Sequence, residues 1–124
     1  MFFSRRAGSK FVDRGDPDNY DFQTGDFSKD GNPHDLDISA IIPKGTVSAL
    51  LRIILETTVA GQSILFRTKG NTVWANCCKC FTAIANTSIA YDIMVTPNSD
   101  GVIEYQTSVA VFNTLNITVG GWLV

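Results

Sequence analysis

From Tyr20 to Val124 the apolar residues come in short runs, each closed within a few positions by glycine, proline, asparagine or aspartate. No stretch carries the sustained three- and four-residue spacing of an amphipathic helix. That punctuation excludes a helical bundle, and without crossover helices a βαβ parallel sheet is unsupported as well. An antiparallel, all-β arrangement is what remains.

Val47 to Thr57 is the clearest strand. Val47, Ala49, Leu51, Ile53 and Leu55 fall on one side, with Ser48, Leu50, Arg52, Ile54 and Glu56 on the other. The β-branched content favours strand over helix. The turn Ala60-Gly61-Gln62 leads into Ser63 to Arg67, so these two segments read as a hairpin. Further strands are expected over Tyr20 to Phe27, His34 to Ile38, Cys77 to Ile84, Ser88 to Thr96, Val102 to Gln106, Val109 to Phe112, and Leu115 onward. Strong turns stand at Lys29-Asp30-Gly31-Asn32-Pro33 and Pro97-Asn98-Ser99-Asp100-Gly101. The sum is about eight strands, a two-sheet antiparallel sandwich of jelly-roll type. Leu51, Ile53, Leu55, Ile64, Phe66, Ile93, Val95, Ile117 and Val119 are the expected core.

Residues 1–20 differ in character. Arg5, Arg6, Lys10, Asp13, Arg14, Asp16 and Asp18 lie among Gly8, Gly15 and Pro17 with little apolar periodicity. The segment reads as an extended arm ahead of a sandwich over 21–124, with Phe2, Phe3, Arg5 and Arg6 as docking residues. No apolar run of secretory length follows the start, and no window is apolar for long enough to form a membrane helix, so a soluble chain is expected. At 124 residues, 44% hydrophobic and 18% charged, the chain suits one globular domain. A net charge of -2 supplies no basic field for nucleic acid or an anionic membrane.

Candidate chemistry is sparse. The one histidine, His34, lies in a polar turn, and no phosphate loop, dinucleotide fingerprint or nucleophile elbow accompanies it. Without a proton-transfer set the chain is expected not to be an enzyme. Cys77, Cys78 and Cys80 with His34 would number four zinc ligands, but neighbours on a strand face opposite ways, so buried apolar thiols are the favoured reading and a surface-facing Cys77 thiol its variant. Asp13, Asp16, Asp18 and Asp21, with Asp26, Asp30, Asp35 and Asp37, lack the spacing of a calcium loop and read as solvated turn residues, with a loop-bound ion as the alternative. No cofactor or metal is expected. Two sequons, at Asn86 and Asn116, have no acceptor role without a secretory signal. Arg52, Arg67, Asp92 and Glu104 interrupt apolar strands. They read as outer-face cross-strand pairs, or as buried pairs at a subunit contact.

The order of segments His34-Asp35-Leu36-Asp37-Ile38-Ser39, Ile41-Ile42-Pro43-Lys44-Gly45, Leu50-Leu51-Arg52, Phe66-Arg67-x-x-Gly70-Asn71, Val102-Ile103-Glu104-Tyr105 and Ile117-Thr118-Val119-x-Gly121-Trp122 resembles a small β-domain of bacteriophage virion proteins. The resemblance covers about Phe22 to Val124 and rests on turn and core positions. It implies a structural role in the virion, as a capsid-associated (decoration) or tail-fibre-like component whose partners are other virion proteins. A carbohydrate- or receptor-binding module is the alternative, with a host surface glycan as ligand. Trp74, Tyr91, Tyr105 and Trp122 are its candidate aromatics, and Trp74, beside the Gly70-Asn71-Thr72 turn, is the expected exposed platform. The uncharged stretch from Tyr105 to Val124 exceeds what one strand needs for its own core. A symmetric homo-oligomer, a trimer first, is therefore expected, unless the stretch completes the monomer's inner sheet.

Overall fold

The computed structural model describes residues 10–124. Eight strands run in chain order: β1 (Phe11–Asp13), β2 (His34–Asp37), β3 (Ser48–Thr57), β4 (Ser63–Thr68), β5 (Cys78–Phe81), β6 (Ile89–Val95), β7 (Val102–Thr107) and β8 (Phe112–Leu123). They form two antiparallel four-stranded sheets, ordered β1-β8-β3-β6 and β2-β7-β4-β5. Successive strands alternate between the two sheets except β4 and β5, which pair as a hairpin within one sheet, and β1 pairs with β8. This is the jelly-roll winding.

Side-chain alternation explains the closure. Ala49, Leu51, Ile53 and Leu55 of β3 and Leu115, Ile117 and Val119 of β8 turn inward from one sheet. They meet Leu36 of β2, Ile64 and Phe66 of β4, Cys80 of β5, and Ile103 and Tyr105 of β7 from the other. Each fully buried Leu or Ile contributes about 1.5–3 kcal/mol relative to exposure. One polar pair sits within this layer: the Thr57 and Thr82 hydroxyls, both fully buried, bond each other at 2.7 Å. Thr57 also donates to the Val59 carbonyl at the same distance. Satisfying both groups offsets the cost of desolvating them.

The expected core holds with one exception: Ile93 is half-buried, since β6 is the edge of its sheet and part of its inner face looks past the opposing strands. Val47 precedes β3 and is exposed. The expected hairpin between Val47–Thr57 and Ser63–Arg67 does not form. β3 pairs with β6 and β8, and β4 with β5 and β7, so residues 58–62 carry the chain from one sheet to the other. Local turn chemistry permitted a hairpin, but both neighbours of each strand come from distant parts of the chain. Tyr20 to Phe27 is not a strand: Phe22 makes a single bridge to Ile117, and Thr24–Asp26 is a 3-10 turn. Val109 to Phe112 is not a strand of its own, because residues 108–111 are the loop into the long β8.

Within the segment read as an arm, Phe11–Asp13 is the edge strand β1, in register with Leu123, Trp122 and Gly121. Lys10 and Val124 exchange backbone hydrogen bonds beside it. Gly121 makes this approach possible, because a Cβ there would fall on the Phe11 ring and the Val12 carbonyl oxygen. The chain after β1 is tied down too. Arg14 pairs with Asp21, and the two side chains share the backbone of Val119, Arg14 donating to its carbonyl and Asp21 accepting from its N–H. Phe2, Phe3, Arg5 and Arg6 lie outside the described residues.

Candidate functional site

The strand order sorts the loops by end. Because neighbouring strands alternate in direction, the β1–β2, β3–β4, β5–β6 and β7–β8 connections gather at one end and the β2–β3, β4–β5 and β6–β7 connections at the other. Functional surfaces of rigid sandwiches are carried on such loops.

At the first end, segments 58–62, 82–88 and 108–111 are knit together by backbone hydrogen bonds. Gly61 donates to Thr82 at 2.6 Å, Asn86 to Thr57 at 2.8 Å and Thr58 to Val111 at 3.3 Å. None of the three segments contains a charged residue. Their tips present Val59, Ile84, Val109 and Val111 to solvent, at 59%, 60%, 75% and 64% exposure. Large apolar side chains held outward on anchored loops offer contact area, and the Lys29-Asp30-Gly31 turn of the β1–β2 connection, with Gly31 against Val109, puts charged side chains at its rim.

The outer face of the β2-β7-β4-β5 sheet carries a polar row. Asp35, Glu104 and Arg67 stand opposite one another on β2, β7 and β4. Arg67 Nε donates to Glu104 Oε1 at 2.7 Å, and the two side chains are only 7% and 12% exposed. Lys69 reaches back to Asp35 at 2.7 Å and to Glu104 at 3.5 Å, and its bond to Asp35 raises its pKa. The Trp74 ring lies over the Arg67 guanidinium, 3.8 Å from ring centroid to Cζ. Trp74 is thus half-buried, with one ring face taken by a cation of its own chain. Of the four charges that interrupt apolar strands, Arg67 and Glu104 form a nearly buried cross-strand pair on the outer face, while Arg52 and Asp92 stand opposite each other on β3 and β6 without an ion pair among the described residues. Arg67 Nη1 is buried without a hydrogen-bond partner.

The other expected aromatics are also committed inward. Tyr105 is buried against Phe27, and its hydroxyl accepts the Ser28 N–H at 2.8 Å. The Tyr91 hydroxyl donates to the Phe81 carbonyl at 2.7 Å, tying β6 to β5, and Trp122 packs on the core. His34 bonds Asp30 at 2.8 Å and lies tilted over Tyr105, and its hydrogen bond holds the Asp30 carboxyl below the usual range. Cys80 is wholly buried, and desolvation pushes its thiol up to about 12. Cys78 is half-buried and its thiol, raised by desolvation, donates to the Met94 carbonyl; Cys77 is half-buried in the preceding turn. Among the described residues no three His, Cys, Asp or Glu side chains are grouped to hold a metal ion.

The second end was not singled out by residue chemistry. There the β2–β3 and β6–β7 loops enclose a cleft of about 540 Å³. The only sequence signals for it are the two turns, Ile41-Ile42-Pro43-Lys44-Gly45 and Pro97 to Gly101, and turns alone do not reveal a cleft. No family model, curated protein or solved structure matches the chain.

Proposed function

We propose that this protein is a structural component of a bacteriophage virion, capsid-associated or tail-fibre-like, which acts through assembly contacts and not through chemistry on a substrate. The observation that carries the reading is the apolar loop tips of one end, where Val59, Ile84, Val109 and Val111 stand exposed on backbone-anchored segments of a jelly roll. The winding is one that capsid and lectin domains share, and by itself it is an analogy of fold. Covering the apolar tips against a second subunit removes them from water. A symmetric oligomer, a trimer first, is the assembly proposed. Its contact is drawn from these loops, because the rest of the uncharged stretch from Tyr105 to Val124 is largely consumed by the chain's own core at Tyr105, Thr107, Phe112, Leu115, Ile117 and Val119.

The test is copy number on purified particles for the parent and for the Val109→Asp/Val111→Asp variant, with light scattering on the isolated chains. The reading expects stoichiometric incorporation of the parent, and loss of incorporation in a variant that keeps its melting temperature. A chain absent from particles, or a variant incorporated like the parent, would refute it.

A further inference from the structure

We propose that the cleft between the β2–β3 and β6–β7 loops is a binding site for a neutral, hydroxyl-rich ligand of the size of one sugar ring, such as the terminal residue of a glycan. The proposal does not rest on the virion reading.

Size is the first support. A cleft of about 540 Å³ lies within the range of small-molecule sites.

Rigidity is the second. Asn98 Oδ1 accepts the N–H groups of Asp100 and Val102, at 2.9 and 3.0 Å, while Gly101 donates to the Asn98 carbonyl at 3.0 Å. On the facing wall, Ile41 and Ile42 both donate to the Ile38 carbonyl, and Thr46 donates to the Pro43 carbonyl through its hydroxyl at 2.7 Å. The two walls are locked to each other where Ile38 donates to the Gly101 carbonyl at 3.1 Å. Gly101 has φ +78, and a Cβ there would stand 2.8 Å from Ser39 Cβ, so only glycine allows this closeness. A ligand therefore meets walls already in place, and little ordering entropy opposes binding.

Chemistry is the third. Ile42, Pro43 and Pro97 give the lining an apolar component that suits the C–H face of a ring, while the Ser39 hydroxyl, the Asn98 side-chain NH2 and the acceptor side of the Thr46 hydroxyl remain for ring substituents. Lys44 and Asp100 bring one charge of each sign, and neither forms an ion pair among the described residues. Opposite charges in one small cleft cancel at long range, so the cleft supplies no net field to draw in an anion or a cation. At short range they remain strong donors and acceptors, and charge-assisted hydrogen bonds to hydroxyls are the stronger kind.

The full chain, labelled with ¹⁵N, is titrated with a panel of neutral monosaccharides, and in parallel placed on a glycan array. The expected result is a Kd on the order of 1 mM for at least one sugar. Its shifts should be confined to amides of 39–46 and 98–101, with the same sugar terminal in the array hits. Asp100→Ala, an exposed position, should weaken binding about tenfold while leaving the remaining spectrum in place. No shift with any sugar of the panel would overturn the proposal. So would shifts centred on the Trp74 face, preference for charged sugars, or a variant that binds like the parent. None of these outcomes bears on particle incorporation, which is measured separately.

Discussion

The Arg67–Glu104 pair allows a sharp test because both groups are almost wholly withdrawn from water. Two unit charges about 4 Å apart attract by about 4 kcal/mol at an effective dielectric near 20, and desolvating both ions opposes that gain. The intact pair is therefore expected to be nearly neutral for stability, whereas breaking it is costly. Glu104→Gln leaves the guanidinium buried beneath Trp74 with no carboxylate bonded to it, since Asp35 is held by Lys69; the expected loss is about 3 kcal/mol, about 10 °C in melting temperature. Arg67→Met should cost less, about 1–2 kcal/mol, because Glu104 keeps Lys69 at 3.5 Å. The double replacement Arg67→Met/Glu104→Gln should cost no more than about 2 kcal/mol, well short of the sum of the single losses. Urea unfolding followed by tryptophan fluorescence closes the cycle, with coupling energy of at least about 2 kcal/mol expected. Additive single losses, or a Glu104→Gln variant within about 0.5 kcal/mol of the parent, would show a solvent-screened pair and refute the reasoning.

Ile53→Ala and Phe66→Ala, both inside the sheet interface, should each cost about 2–5 kcal/mol in urea unfolding, and Ile93→Ala at the β6 edge clearly less. Gly121→Val should detach β1 without unfolding the sandwich, read as fast amide exchange at Val12 with β3 and β8 still protected. The Cys80 thiol should resist alkylation at neutral pH in the native state while Cys77 reacts, as mass spectrometry of labelled peptides will show. Because the folded pKa of Cys80 is raised from 9.0 to about 12, folding holds that proton more tightly. Its contribution is complete below pH 9 and is lost as pH rises from 9 towards 12, so the melting temperature of the parent should fall over that window more than that of Cys80→Ala.

How far the fold is legible depends on the range of the forces involved. The two-residue alternation of Val47 to Thr57 predicts which side chains of β3 turn inward, because that property belongs to the strand itself. Pairing does not belong to the strand. Ala60-Gly61-Gln62 satisfies local turn chemistry equally well as a hairpin or as a crossing between sheets, and the choice is made by β8 and β6 lying along β3. The segment around Phe11 looks like an arm because a three-residue edge strand needs no periodicity, only a glycine opposite it. At the outer face, charges inside apolar strands signalled a pair, and register brought Arg67 opposite Glu104. Nothing local indicated that Trp74 would close over it. The end cleft is a property of two loops distant in sequence, and single-residue patterns hold no trace of it.

The pairing of the first strand with the last also governs how the chain reaches this structure. β1 has no partner until β8 exists, and β3 lacks the neighbour along most of its length until the same strand arrives. During synthesis the Leu50-Leu51-Arg52-Ile53-Ile54-Leu55 run must wait, exposed, with only β6 available to it before β8 is made. Folding dominated by such non-local pairing is slow, on the order of milliseconds to seconds, and the waiting strand is the segment most exposed to aggregation. Arg52, standing outward in its middle, is the charge that interrupts the run during that interval.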